Sequence, residues 1–119
     1  MTSRLAAAFP LFLVTALAGC ASGPAKPCSP IGTSACGGQA ANVARDVARW
    51  HNTYHQACPF VRPVSVEIVR DEGDAVVEHW TIEACQGKQF TYRAYLLPSA
   101  GSLTVMVSDP RPDERGSAP

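Results

Sequence analysis

The chain has 119 residues, and its ten basic side chains balance its ten acidic ones, so the formal net charge at pH 7 is +0. Because the basic residues form no block, charge indicates neither nucleic acid nor an anionic lipid surface as a partner. A chain of this length provides one domain with a modest core.

The first residues have the three-part layout of a secretory signal. Arg4 supplies a short cationic start, residues 5–18 are apolar apart from Thr15, and small residues precede Cys20. Such a run is too short for a membrane-spanning helix, which needs about 20 residues. A buried core helix is the alternative, but the position at the start of the sequence favours an export signal.

Residues 17–20, Leu-Ala-Gly-Cys, resemble the lipobox of bacterial lipoproteins. The resemblance implies removal of a signal peptide over residues 1–19 and attachment of acyl chains, such as palmitate, at Cys20. Two or three acyl chains would hold the protein stably in membrane lipid. Ala21 stands where Asp usually signals inner-membrane retention, so the resemblance implies an outer-membrane lipoprotein, which we expect to face the periplasm.

Four further cysteines predict two disulfide bonds in an oxidising compartment, with three possible connectivities. We favour a local bridge between Cys28 and Cys36 and a second bridge between Cys58 and Cys85. A pair of metal-binding or redox thiols at Cys28 and Cys36 is the alternative, but no histidine lies nearby to support it.

The amino-acid composition predicts two unstructured segments. Residues 20–38 are rich in Gly, Pro, Ser and Ala and predict a flexible tether. Residues 109–119 are polar and Pro-rich and predict a disordered tail. A folded domain is expected between them, over residues 39–108.

Helical periodicity marks residues 40–57 as the clearest helix. Asn42 is a candidate N-cap, and Pro59 disfavours helical geometry at the preceding residue, so the helix should end near residue 57. The apolar stripe of this helix comprises Val43, Val47, Trp50 and Tyr54.

Alternating apolar residues then predict four strands joined by short turns, at residues 63–70, 76–84, 90–97 and 103–107. The predicted fold is α+β, with one amphipathic helix packed on a four-stranded antiparallel β-meander, preceded by a disordered tether. Cys85 has the parity of the outward face, so its bridge requires either a bulge near Ala84 or a cysteine already in the turn. Gly87 favours the turn.

His51 and His55 lie one helical turn apart, where two imidazoles can bind one metal ion, and Cys58 and His79 are further candidate ligands. However, the histidines border the apolar stripe, and Cys58 is assigned to a disulfide. No His-Glu-x-x-His motif is present. We therefore predict no metal site and no cofactor.

No catalytic motif is present, neither a Gly-x-Ser-x-Gly elbow nor a phosphate-binding glycine loop. Glu78 and Glu83 are five residues apart in one strand, so they should lie on opposite faces of the sheet and cannot act as an acid–base pair. We interpret both as solvated strand residues and predict no catalytic residues.

The outward face of the sheet is the candidate binding surface, with Arg93, Tyr95 and His79 as its candidate binding residues. Arg and Tyr are enriched at protein interfaces. The alternative is a solvated face on which Glu83 pairs with Arg93 across the strands. A second route to binding is strand addition at an exposed edge, at the first or the fourth strand. The predicted surface comprises His79, Thr81, Glu83, Arg93, Tyr95, Thr104 and Met106.

These patterns together predict a lipid-anchored envelope protein with a small noncatalytic domain. We expect an accessory or structural subunit that contacts membrane lipid through Cys20 and binds another envelope protein, with no nucleic acid partner. The alternative is a periplasmic module that binds a small ligand or a metal.

Overall fold

The computed structural model describes residues 26–117, so the predicted signal peptide over residues 1–19 and the lipidation at Cys20 lie outside the described residues. One helix packs against one four-stranded antiparallel sheet, which confirms the predicted fold class. The strands are adjacent in chain order, as expected for a meander. The elements are α1 (Gly38–Tyr54), β1 (Phe60–Glu72), β2 (Ala75–Ala84), β3 (Gln89–Ser99) and β4 (Ser102–Ser108).

The buried face of α1 consists of Val43, Val47 and His51. The predicted stripe is therefore correct for Val43 and Val47, and Trp50 packs partly buried against the core. At the C-terminal end His51 takes the inner position and Tyr54 is 64% exposed. The helix ends at Tyr54, three residues earlier than predicted. At His55 the backbone leaves helical geometry, with a φ of −134°, and the chain then turns so that the carbonyl of Cys58 accepts a hydrogen bond from His51.

Alternation along β2 and β3 places the main core on one face of the sheet, although Val77 on the other face is also buried. The inward residues of β2 and β3 are fully or almost fully buried, as the sequence predicts, and they pack against α1. Burial of this apolar area from water is the main force that holds helix and sheet together. These core residues are Trp80, Ile82, Ala84, Tyr92, Ala94 and Leu96.

Both predicted disulfides are present, Cys28–Cys36 and Cys58–Cys85. Cys85 opens a tight turn over Cys85–Gly87, which confirms that it leaves the strand before its side chain is directed outward. Within this turn Gln86 has a φ of 56°, in the left-handed region. The second disulfide therefore joins the turn between α1 and β1 to the end of β2.

The loop closed by Cys28 and Cys36 packs against the sheet, although the sequence assigned it to the tether. Its Ile31 carbonyl accepts a hydrogen bond of 2.6 Å from the Val66 amide in the middle of β1. Gly32 has a φ of 106° and lies so close to the Val66 carbonyl that a Cβ atom would overlap it. The loop orders because a bond to a strand edge and a disulfide fix a segment that has few apolar residues.

A buried carboxylate anchors the same loop. Glu78 is 0% exposed and accepts four hydrogen bonds, so the interpretation of Glu78 as a solvated strand residue is wrong. It accepts from the Thr33 hydroxyl at 2.8 Å, from the Ser34 amide and hydroxyl at 2.7 and 2.8 Å, and from the Trp80 indole at 3.0 Å. Glu78 has the parity of Trp80, and the loop supplies the donors that make its burial tolerable.

The chain also folds back after β4, although residues 109–119 were predicted to be a disordered tail. A 3-10 helix spans Pro112–Ser117 and places Glu114 against the outer face of the sheet, where it is 4% exposed. Residues 118 and 119 lie outside the described residues.

Candidate functional site: the outer sheet face and the edge of β4

The three predicted binding residues share the outer face of the sheet. His79 in β2 lies directly opposite Arg93 in β3. Tyr95 follows on the same face, and the Arg93 guanidinium carbon lies 5.7 Å from the centre of its ring. This distance is within the range of a cation–π contact.

The C-terminal segment occupies this cluster. Arg93 donates from Nε to both carboxylate oxygens of Glu114, at 2.9 and 3.2 Å, and His79 Nε2 lies 3.1 Å from the same carboxylate. An Arg70 nitrogen approaches Glu114 to 3.9 Å. Glu114 was not among the predicted site residues, because a single acidic residue in a polar tail carries no local signal of burial.

Arg93 is consequently covered rather than presented to solvent. It is 7% exposed and pairs with Glu114, not with Glu83 as the alternative interpretation expected. Glu83 lies opposite Gln89 in the register and forms its ion pair with Arg62 at 3.2 Å. The described conformation thus leaves Arg93 unable to contact a partner protein.

The ionised form of Glu114 is favoured by its neighbours. Burial raises the pKa of Glu114, but hydrogen bonds from Arg93 and His79, together with the charges of those side chains, hold the pKa below its ordinary value of 4.5. Because the folded-state pKa is depressed, the stabilisation is fully present above about pH 4.5 and is lost as the pH falls through the folded-state value.

Replacement Glu114→Gln should therefore lower the free energy of unfolding by about 2 kcal/mol near pH 7, because Arg93 loses a charged partner in a buried position. The variant should also lose less stability than the natural protein when the pH falls to about 3. Urea unfolding at both pH values measures this. Parallel acid dependence in the two proteins would contradict a depressed pKa at Glu114.

His51 is engaged on both sides of its ring. Its Nε2 lies 2.6 Å from the carbonyl oxygen of Cys58, and its Nδ1 lies 2.5 Å from the hydroxyl of Tyr92. A carbonyl only accepts, so Nε2 carries a proton. Burial, followed by the nearby charge of Asp109, raises the pKa of Tyr92 to about 12, so the phenol keeps its proton. In the tautomer protonated at Nε2, Nδ1 accepts a hydrogen bond from this hydroxyl.

The residues considered as metal ligands do not converge. The ring of His51 is stacked at 4.9 Å on that of His55, Cys58 is in a disulfide, and His79 lies on the other face of the sheet. In the part of the chain that the structure describes, no group of three or more His, Cys, Asp or Glu side chains is arranged to hold a metal ion.

The two edge strands of the sheet differ in charge, in the regularity of their pairing and in what covers them. β1 carries charged residues and a proline, three register shifts interrupt its pairing, and the Ile31 carbonyl caps the amide of Val66 at its centre. Charges, proline, bulges and a covering loop are the devices by which natural edge strands avoid pairing with other chains. The β1 edge is therefore closed to strand addition at its centre.

β4 has none of these devices. Its sequence over Ser102–Ser108 contains no charged residue and no proline, and its pairing with β3 runs without a register shift. Within residues 26–117, β4 pairs with β3 only, and no backbone hydrogen bond reaches its other edge. This edge is a ready template for another strand.

A groove of about 500 Å³ runs beside this edge, between β4 and the C-terminal half of α1. Trp50 and Tyr54, whose ring centres are 4.7 Å apart, form its helix side, and Val105 and Val107 form its strand side. The sequence assigned both aromatic residues to the core stripe, so their role in the groove was missed. No local signal indicated it, because both residues continue the helical period of Val43 and Val47.

Comparison with known proteins supplies no assignment, because no family model, no curated protein and no solved structure matches the chain. Between residues 26 and 117, no helix combines the length and the apolar character needed to cross a membrane.

Proposed function

We propose that this protein is a lipid-anchored, noncatalytic subunit of the bacterial envelope that binds another envelope protein by strand addition at β4. The observation that carries the proposal is the contrast between the two sheet edges. β1 is charged, irregular and covered, whereas β4 is uncharged, regular and uncovered.

Strand addition explains why β4 remains uncovered. An added strand gains affinity from main-chain hydrogen bonds along the edge, and alternate side chains enter an adjacent groove. The groove between α1 and β4 offers Trp50, Tyr54, Val105 and Val107 to such side chains. Tyr and Trp are also enriched at the centres of protein interfaces.

The proposal also includes a lipid anchor at Cys20 and a location in the bacterial envelope. Acylation of Cys20 would attach the domain to membrane lipid, in the outer membrane and facing the periplasm. The two disulfides support an exported location, because disulfides persist in oxidising compartments and are rare in the cytosol. They also supplement a small core.

Purification of the full chain from membranes in mild detergent tests the proposal, with Cys20→Ala as the unanchored comparison. We expect a second envelope protein in stoichiometric amount with the anchored form only. The double replacement Thr104→Lys/Met106→Lys should abolish this recovery, because it places two charges on the exposed side of β4. Recovery of the chain as a monomer, without any other protein, would contradict the proposal.

A matched control is available on the other edge. Val61 in β1 and Met106 in β4 are both 56% exposed apolar residues. Val61→Lys should therefore leave the co-purification unchanged. An equal loss with Val61→Lys would indicate a nonspecific effect of added charge.

A further inference from the structure

The sequence of β4 has approximate two-fold symmetry about its central residue. It reads Ser-Leu-Thr-Val-Met-Val-Ser from Ser102 to Ser108. An antiparallel pair formed by two copies of this strand, centred on Val105, would place similar side chains opposite each other. The resulting pairs are Ser102 with Ser108, Leu103 with Val107, Thr104 with Met106, and Val105 with itself.

The two faces of β4 agree with this pairing. Leu103, Val105 and Val107 are partly buried on the side of α1, and Thr104 and Met106 are exposed on the opposite side. In the symmetric register, every apolar inner residue meets an apolar inner residue. No two like charges would be opposed, since the strand carries none, and opposed like charges are what most disfavours a cross-strand pair.

The groove beside β4 is also balanced in charge. Its rim carries one acid and one base, Asp46 and Arg49, which lie 3.8 Å apart in a weak, largely solvated pair. Because each rim carries both signs, a second copy brings no excess of like charge to the seam. The exposed ring of Tyr54, also on the helix side of the groove, would gain cover when a second helix approaches the seam.

From these features we infer that the strand that occupies the edge of β4 is β4 of a second copy of this chain. The product is a symmetric dimer with one continuous eight-stranded sheet. The inference rests on the proposed function, because it uses the same docking edge and names its partner. Anchoring in one membrane assists the association by raising the effective concentration of the copies.

The self-pairing of Thr104 with Met106 allows a charge test at two exposed positions, so folding is not at risk. In Thr104→Lys/Met106→Lys, each lysine would face a lysine of the second copy, and the dimer should dissociate. In Thr104→Lys/Met106→Glu, each lysine would face a glutamate, and the dimer should persist. Both variants carry the same number of new charges.

Sedimentation equilibrium of the full chain in density-matched detergent measures the outcome. We expect a dimer for the natural protein and for the Lys/Glu variant, and an association at least ~10-fold weaker for the Lys/Lys variant, a change of about 1.4 kcal/mol. Equal dissociation of both variants would overturn the two-fold register. Persistence of the dimer in both would place the interface elsewhere and also overturn the inference.

The same experiment separates this inference from the proposed function. A natural chain that stays monomeric in detergent, yet recovers a different envelope protein from membranes through β4, would overturn the second copy as the occupant and leave the proposed function standing. A dimer with the expected charge response and no other protein recovered would support the inference and identify the envelope protein bound at β4 as a second copy of this chain.

Discussion

Replacing Cys58 and Cys85 together with Ala should lower the free energy of unfolding by about 3.5 kcal/mol, which corresponds to a fall in melting temperature of roughly 15–25 °C. The bridge spans 27 residues, and a cross-link of that span removes much of the conformational entropy of the unfolded chain. In addition, it holds Cys58 where the backbone carbonyl of that residue accepts the bond from His51.

The other disulfide provides the control. Cys28 and Cys36 are separated by 8 residues, so the same double replacement there should cost about 1 kcal/mol less. Thermal and urea unfolding of both double variants measure the difference. A smaller loss for the Cys58 and Cys85 variant than for the Cys28 and Cys36 variant would contradict the assignment of the long bridge as the principal cross-link of the domain.

Replacement Glu78→Ala should cost about 3–5 kcal/mol, because it removes a buried acceptor and leaves its donors without partners. The hydroxyl of Thr33, the amide of Ser34 and the indole of Trp80 would all be affected. The Cys28–Cys36 loop should also detach from the sheet. Amide hydrogen exchange at Ser34 should therefore become markedly faster in the variant, while exchange in β3 changes little below the unfolding transition.

Glu67→Ala is the matched control, since Glu67 lies in the neighbouring strand and is exposed. Its cost should stay within about 0.5 kcal/mol. If Glu78→Ala were as mild as Glu67→Ala, or if Ser34 kept its protection, Glu78 would not anchor the loop.

The fold was predictable because its signals are local. Alternation in four segments and a helical period in one are encoded within short windows, and short turns between strands favour a meander. The position of Cys85 in a turn followed from its parity and from Gly87, two residues later. The structure confirms these expectations. Most strand ends extend one to three residues beyond the predicted bounds.

The burial of Glu78 and Arg93 was not predicted, because it depends on segments distant in sequence. Glu78 accepts hydrogen bonds from the loop that contains Thr33, and Arg93 is covered by Glu114. Both covering segments are rich in turn-forming and polar residues, and composition alone describes such segments as unstructured. Only the parity of Glu78 with Trp80 indicated, within the sequence, that this carboxylate belongs to the buried face.

The candidate site was predicted only in outline. Strand addition at the first or fourth strand was anticipated, and our proposal takes the fourth because the amide of Val66 in the first already donates to Ile31. That distinction depends on where residues 28–36 dock, which no local pattern encodes. The predicted outer-face residues do lie together, but the Glu114 carboxylate occupies the position that a partner would take at Arg93.

Site-specific photo-crosslinking in intact cells tests the central claim most directly, with the photoreactive residue placed at position 104 in β4 or at position 61 in β1. The account predicts an adduct of discrete mass from position 104, either a dimer of this chain or a complex with a different envelope protein, and none from position 61. No adduct from position 104, or the same adduct from both edges, would contradict a docking role for β4.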